Sequence, residues 1–404
     1  MRYCLADVEL TQSQSGIDLP EDVSGIGILV RVHDRPVSFF LAKVQGKFLS
    51  PDRICHLVRE HASVSVTAEM LRLELMSPTP DQVFPSLTVA ICTRNRPELV
   101  RRAIHNLWEA AQSAGSPAGF EILIVDNAPD DEQTRVVADS LDVRYVCEPK
   151  PGLDFARNRA ILEARGELLA YVDDDAVVDR GWVRGLRKAW AENPDAAAFC
   201  GPVIAYELET DAQVMFESRG GFGHVFEPKR YGPDCRNIRN YPCNSGNFGA
   251  GCNMAFQRKV LLHLDGFDNA LDTGAPLPGG GDLDILYRVL RAGFTLVQEP
   301  QFMIRHQHRH DHRQLRHQMY TWGLGIMAYA TKNYRCDVPY RPQFRCMILG
   351  WFRQIVRMLV STISGKRYWK TDLVWAELWG GIVGVCGEYN RSKHRIDAIN
   401  KQFA

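Results

Sequence analysis

Three times between residues 87 and 175 an apolar run of strand length stops dead at a polar cluster. "LTVAIC" runs into Thr93-Arg94-Asn95-Arg96, "FEILIV" into Asp126-Asn127, and "LLAYV" into Asp173-Asp174-Asp175. Between them lie helix-length segments. "PELVRRAIHNLWEAAQSAG" places Leu99, Val100, Ala103, Ile104, Leu107, Trp108 and Ala111 on one face, and "DEQTRVVADSL" and "LDFARNRAILEARG" read the same way. Alternating strands and helices predict an α/β fold, with a mostly parallel sheet covered by helices on both faces. In such sheets ligands bind beyond the carboxyl ends of the strands, where all three polar clusters fall.

The flanking regions differ in pattern. Residues 1–83 read as a small α+β unit. Two β-rich runs in "GIGILVRVHDRPVSFFLAKVQGKFL" surround a turn at His33-Asp34-Arg35-Pro36, and a helix follows with Ser50 as N-cap and Pro51 at its first position. The Pro-rich "SPTPDQVFP", residues 77–85, reads as a linker. Residues 84–330 form the expected central α/β domain, and residues 331–404 a C-terminal helical region rich in aromatic and basic residues.

Composition excludes some partners. Lys+Arg and Asp+Glu are both 48, so the formal net charge is zero, which argues against a general nucleic-acid binder. The eleven cysteines are scattered without a CxxC pair, as expected of reduced, mostly buried thiols. The first residues lack a basic segment followed by an apolar one, and no run of about 18 uncharged apolar residues occurs. A cytoplasmic location and no spanning helix are therefore expected. The C-terminal helices leave two readings open: peripheral contact with the inner face of a membrane, or closure over one side of the fold.

Three adjacent carboxylates at the end of a buried strand repel one another and need a partner. A turn or helix N-cap could solvate them. Beside two other polar strand ends, a divalent cation explains them better, and oxygen ligands suit Mg²⁺ or Mn²⁺ bound with substrate phosphates.

At this point the chain resembles the bacterial-type family 2 glycosyltransferases, inverting enzymes with a GT-A fold, here with an extra N-terminal domain. The resemblance covers about residues 86–312. It rests on "TVAICTRNRP", "ILIVDNAPDD", "EPKPGLDFARNRAI", "LLAYVDDDAVVDRGW", "GAGCNMAFQRKVLLHLDGFD" and "GGGDLDILYRVLRAGFTLVQEP". It implies a nucleoside-diphosphate sugar donor, a hydroxyl-bearing acceptor and a divalent Mn²⁺ or Mg²⁺ cofactor. Thr93, Arg94 and Arg96 would form the first nucleotide-contacting loop. Asp126 would recognise the base, with Asn127 beside it, and Gly152, Arg157 and Asn158 would close over the nucleotide. Asp173 would face the ribose, with Asp174 adjacent, and Asp175 and His306 would hold the metal. Asp282 would be the general base, with Asp284 as runner-up, because the Glu-Asp common in the family is Gly281-Asp282 here. Gly251 and Asn253 would lie near the donor sugar or acceptor. His306, His308, His310 and His312 alternate; the set reads as a solvated, partly cationic edge or as a zinc cluster, His308 is the alternative to His306 as metal ligand, and Trp182 reads as core or acceptor platform.

Two other functions fit part of the pattern. A nucleotidyltransferase also uses strand-end carboxylates and a metal, but gives "GGGDLD" no role. A catalytically silent sugar-nucleotide scaffold would need no base at all. "PGGGD" lacks the context of a dinucleotide fingerprint, and no GxSxG occurs.

Overall fold

The computed structural model describes residues 1–75, 83–115, 119–271, 277–364 and 369–403. Most of the expected linker and part of "GAPLPGGG" lie outside them. The N-terminal unit contains β1 (Tyr3–Glu9), β2 (Ile17–Asp18), β3 (Gly25–Val32), β4 (Arg35–Lys43), β5 (Phe48–Leu49) and α1 (Pro51–Leu75). β3 and β4 form the expected hairpin across His33 and Asp34, both in left-handed backbone conformation. Ser50 Oγ accepts from Arg53 N at 3.3 Å, the N-cap bond read from the sequence. Ile26, Ile28 and Val30 of β3 pack against Ile54, Leu57 and Val58 of α1.

The central elements are β6 (Leu87–Thr93), α2 (Pro97–Ser113), β7 (Phe120–Asn127), α3 (Gln133–Ser140), β8 (Arg144–Glu148), α4 (Leu153–Glu163), β9 (Leu168–Val172), β10 (Ala176–Val178), α5 (Trp182–Glu192), β11 (Ala196–Cys200), β12 (Val203–Ala205), α6 (Asp211–Ser218), β13 (Lys229–Tyr231), β14 (Asn253–Gln257), α7 (Arg258–His263), α8 (Gly281–Arg291), β15 (Thr295–Gln298) and β16 (Ile304–His306). Among the described residues the main sheet has eight strands in the order β13-β15-β11-β14-β9-β6-β7-β8. β13 and β14 run antiparallel to their neighbours and the other pairings are parallel, giving the expected mixed, mostly parallel α/β architecture.

Both faces of this sheet are buried, which is why its strands read as unbroken apolar runs. Val89 and Ile91 face α2 and α5, while Ala90 between them faces α4 and α8. In α2 the expected face is buried at Val100, Ala103, Ile104, Leu107 and Ala111; Trp108 is its margin, edge-on to Phe120 at 5.7 Å between ring centroids.

A second, three-stranded sheet, β10-β16-β12, stands beside the carboxyl end of β9 and pairs Ala176 with His306. The N-terminal unit packs on this side of the molecule. The Arg31 guanidinium, almost wholly buried, reaches both Asp7 and Asp179, and Arg35 Nη1 lies 2.6 Å from Glu299 Oε1. Asp34 at the hairpin turn is held by Arg180 and Arg184.

The C-terminal elements are α9 (His312–Cys336), α10 (Arg341–Ile363), α11 (Thr371–Val383) and α12 (Tyr389–Gln402). Val338–Ile363 is long and apolar enough to cross a membrane by length and composition, although Arg353 and Arg357 interrupt the run. About a quarter of that apolar window is buried. Leu349, Val356, Val360 and Ile363 of α10 and Trp375, Trp379 and Ile382 of α11 are exposed.

Candidate active site

The parallel register places Thr93 directly opposite Asp126, and β6 also pairs with β9, so the three polar strand ends share one edge of the sheet. Asp174 ties two of them together. Its Oδ2 accepts from Thr93 Oγ1 at 2.7 Å and its Oδ1 from Arg96 Nη1 at 2.9 Å. Burial pushes the Asp174 carboxyl up, and Arg96 opposes that rise. Arg94, as exposed as Arg96, lies 3.6 Å from Asp130. Asp126 is fully buried; Tyr145 donates to its Oδ2 at 3.1 Å, and its Oδ1 has no protein partner. Burial raises its pKa above the ordinary carboxylate value.

Asn127 and Gly152 hold each other. Gly152 N donates to Asn127 Oδ1 at 2.8 Å, and Asn127 Nδ2 donates to Lys150 O at 2.7 Å. Gly152 has φ +140°, a conformation that favours glycine, and it turns the chain into α4. From α4, the buried Arg157 donates to Asp154 Oδ1 at 3.0 Å and to Gly251 O at 3.4 Å. Complete burial pushes the Asp154 carboxyl up to about 7 despite Arg157. Asn158, expected with Arg157 to close over the nucleotide, has its amide engaged by protein. Its amide bonds the backbone of Phe267 in both directions and the side chain of Asn269, so it pins the loop after α7.

Asp173, Asp175 and His306 converge where β9 ends. His306 Nε2 lies 3.1 Å from Asp175 Oδ1 and 4.0 Å from Asp173 Oδ2. Burial alone would raise Asp175, but the His306 charge and hydrogen bond, with Arg309 and Arg96, hold it down at about 2. Asp173, a third exposed at its side chain, is pushed up to about 6 by desolvation and by the charge of Asp175. Burial disfavours a charged His306 ring, yet the two carboxylates outweigh it and raise its pKa.

A fourth residue joins them unannounced. A ligand atom from each of Asp173, Cys252 and His306 lies within 4.8 Å of the other two. These donors fit a divalent cation, since crowded carboxylates and an imidazole meet in one place. The other histidines scatter to separate acids. His308 bonds Glu217, His310 Nε2 lies 2.8 Å from Glu207, and His312 Nε2 lies 2.7 Å from Asp372. His308 is fully buried at its side chain, which corrects the solvated-edge reading there.

Asp282, in the first turn of α8, accepts from Gly251 N at 3.0 Å through Oδ2 and from Leu283 N at 2.9 Å through Oδ1. Gly251 is wedged between charges. A Cβ there would sit 2.9 Å from Arg157 Nη2 and 3.1 Å from Asp282 Oδ2. Asp282 therefore borders Gly251, while the next residue, Cys252, borders Asp173 and His306. The two acidic groups thus meet one two-residue stretch, Asp282 at Gly251 and Asp173 with His306 at Cys252.

Two expected residues lie elsewhere. Asp284 is fully buried, with Oδ1 bound to Lys332 at 2.7 Å and to Asn333 at 2.9 Å, and Oδ2 to Arg288 at 2.7 Å. Both oxygens are engaged, which removes it as a base or acceptor contact. Asn253 is also fully buried; it accepts from Trp182 Nε1 at 2.9 Å and donates to Phe302 O at 2.7 Å, so it serves the core, as does Trp182. A surface cavity lined by Trp108, Phe120 and Arg165 opens at the amino end of the strands, away from this cluster.

Residues 88–264 match the family model for glycosyl transferase family 2. The chain is 28% identical over 221 residues to the succinoglycan biosynthesis protein ExoM of Rhizobium meliloti, covering 53% of this chain and 64% of that protein. It is 25% identical over 153 residues to a glucosyl-dolichyl phosphate glucuronosyltransferase of Haloferax volcanii, covering 37% and 46%. The chain thus spans less than two thirds of the length of these curated relatives. Among solved structures, a mannosyltransferase of Pyrobaculum calidifontis in complex with GDP-Man and Mn²⁺ superposes with a TM-score of 0.48 and 16% identity, over 83% of this chain and 97% of that one.

Proposed function

We propose that this chain, which belongs to glycosyltransferase family 2, moves a sugar from a nucleoside-diphosphate donor to an acceptor hydroxyl with inversion at the anomeric carbon. The observation that supports this most is the pairing of two acidic centres across Gly251–Cys252. One, Asp173–Asp175–His306, has the chemistry to hold a divalent cation; the other, Asp282, stands apart from it.

On this reading the partnerless Asp126 oxygen accepts a hydrogen bond from the nucleobase. Asp173 reaches the ribose, and Asp175 with His306 holds Mn²⁺ or Mg²⁺. When bound, that ion neutralises negative charge on the diphosphate leaving group. Asp282 takes the acceptor's proton as its oxygen attacks. A single displacement needs no covalent nucleophile. Thr93 and Arg96 position Asp174, and Arg157 adds positive charge between the two centres. In this division residues 1–83 brace the catalytic unit of residues 84–330, and the helices of residues 331–404 follow it.

Release of a free nucleoside diphosphate from a nucleotide sugar, dependent on Mn²⁺ and abolished in Asp175→Ala, tests the reading. Release of pyrophosphate would point to nucleotidyl transfer instead. Nucleotide binding without turnover, unaltered in Asp282→Asn, would point to a silent scaffold.

The same reading places the exposed face of α10 and α11 on an anionic lipid surface. Trp375 and Trp379 of α11 are 52% and 58% exposed, and Val356, Val360, Arg345, Arg353 and Arg357 are exposed on α10. Aromatic and apolar side chains among arginines suit the headgroup region. Flotation with phosphatidylglycerol vesicles, lost in Trp375→Ser/Trp379→Ser, is the expected result; equal flotation of both proteins would refute it.

A further inference from the structure

Cys252 has no part in the hard-metal chemistry above, yet it sits inside that site. It is 4% exposed, and its sulfur lies within 4.8 Å of ligand atoms of both Asp173 and His306. Its position is fixed from both sides. Gly251 is hydrogen-bonded to Asp282 and Arg157, and Asn253 is clamped by Trp182 and Phe302. His306 is equally constrained, in β16 between Ala176 of β10 and Ala205 of β12. These are donors on braced backbone rather than mobile side chains that happen to meet.

Carboxylate oxygen serves Mg²⁺ and Mn²⁺; a set of one sulfur, one imidazole nitrogen and one carboxylate oxygen is the set that Zn²⁺ and Co²⁺ take, with a fourth position open. We propose that Asp173, Cys252 and His306 form a binding site for a thiophilic divalent cation of the Zn²⁺ and Co²⁺ class. Cys252 binds as thiolate; burial and the carboxylates of Asp173, Asp175 and Asp282 hold its proton tightly, so the cation must displace that proton to solvent as it binds. The site overlaps the position of the catalytic ion, so a thiophilic cation and Mn²⁺ exclude each other. The consequence for turnover rests on the proposed function, whereas the binding itself rests only on these three residues.

The test is a Co²⁺ titration of the intact protein, followed by near-ultraviolet thiolate-to-cobalt charge-transfer absorption, with Mn²⁺ competition in parallel. The wild type is expected to develop the band at one equivalent of Co²⁺, and Cys252→Ser to lose it. His306→Ala should weaken it as well. The preference for Zn²⁺ over Mn²⁺ should fall by at least about tenfold in Cys252→Ser. Circular dichroism of each variant confirms that it is folded. No stoichiometric band in the wild type, or the same band in folded Cys252→Ser through another thiol, would overturn the proposal. A wild-type band in a protein that binds no nucleoside diphosphate supports this site and ends the glycosyltransferase reading alone.

Discussion

Asp282 and Asp284 lie two residues apart on one helix, yet the structure gives them opposite duties, and a pair of Asn substitutions separates the two. Two residues along a helix is a turn of about 200°, so their side chains leave on opposite faces. Asp282 accepts two backbone N–H groups, and Asn can still accept one of them. The stability cost of Asp282→Asn is then about 1 kcal/mol, one hydrogen bond. Its cost to turnover is that of a lost general base, about 10²–10⁴-fold, or roughly 3–5 kcal/mol in the barrier. Asp284→Asn removes the carboxylate of zero exposure that Lys332 and Arg288 share, leaving Lys332 paired with Asp268 and Arg288 bound to the Leu264 and Gly266 carbonyls, with side chains 12% and 23% exposed. Removing one partner of a buried pair costs about 3–5 kcal/mol, a large share of a typical 5–15 kcal/mol of stability. Urea transitions read by intrinsic fluorescence measure the first quantity, and initial rates of nucleoside-diphosphate release measure the second. Asp282→Asn should keep its midpoint and lose its rate; Asp284→Asn should shift its midpoint sharply. Equal destabilisation by both, or an Asp284→Asn protein that is stable and inactive, would refute the assignment.

The remaining predictions concern other parts of the frame. Asp179→Ala leaves the Arg31 guanidinium buried beside the more exposed Asp7 and the Asp34 carbonyl, and should destabilise by about 3 kcal/mol in urea, whereas removing both charges in Arg31→Met/Asp179→Leu should cost less. Gly152→Ala forces a side chain into φ +140°, and should weaken nucleotide affinity in calorimetry with a strain of about 1–3 kcal/mol. Asp154 and Asp173 have folded-state pKa values raised to about 7 and about 6 from 3.8. A raised value means stability that is full below about 4 and is lost as pH rises through 6 and 7. In metal-free protein the melting temperature of Asp173→Asn should therefore decline less between pH 4 and 7 than that of the wild type. An unchanged slope would contradict the crowding at that carboxylate.

The sheet was legible because burial on both faces leaves its strands nearly pure in apolar residues, while their carboxyl ends turn abruptly polar. Thr93, Asp126 and Asp173 could be placed on one edge by counting strands alone. The roles of the asparagines could not be read that way. Asn127, Asn158 and Asn253 use the same amide atoms to pin backbone that they would use to hold a ligand. Only the position of the partner separates those uses, and that position comes from distant chain. The engagement of Asp284 is hidden for a related reason, since Lys332 and Asn333, which hold it, come from α9, some fifty residues on. Cys252 gave no signal, because a single thiol without a spaced companion looks the same whether it fills a core or faces a metal. The buried Arg31–Asp179 pair, which seats the N-terminal unit, joins residues with no local pattern in common.

The most direct test of the account follows the electron paramagnetic resonance signal of free Mn²⁺ as a panel of nucleoside diphosphates is added to the protein. Beyond the Mn²⁺ that each diphosphate chelates in buffer alone, one diphosphate should quench the signal further and stoichiometrically in wild-type protein, and add no further quenching in Asp175→Ala. Mn²⁺ that stays free with every nucleotide, or that is captured equally by the variant, would show that the acidic end of β9 is not where a cation meets a diphosphate.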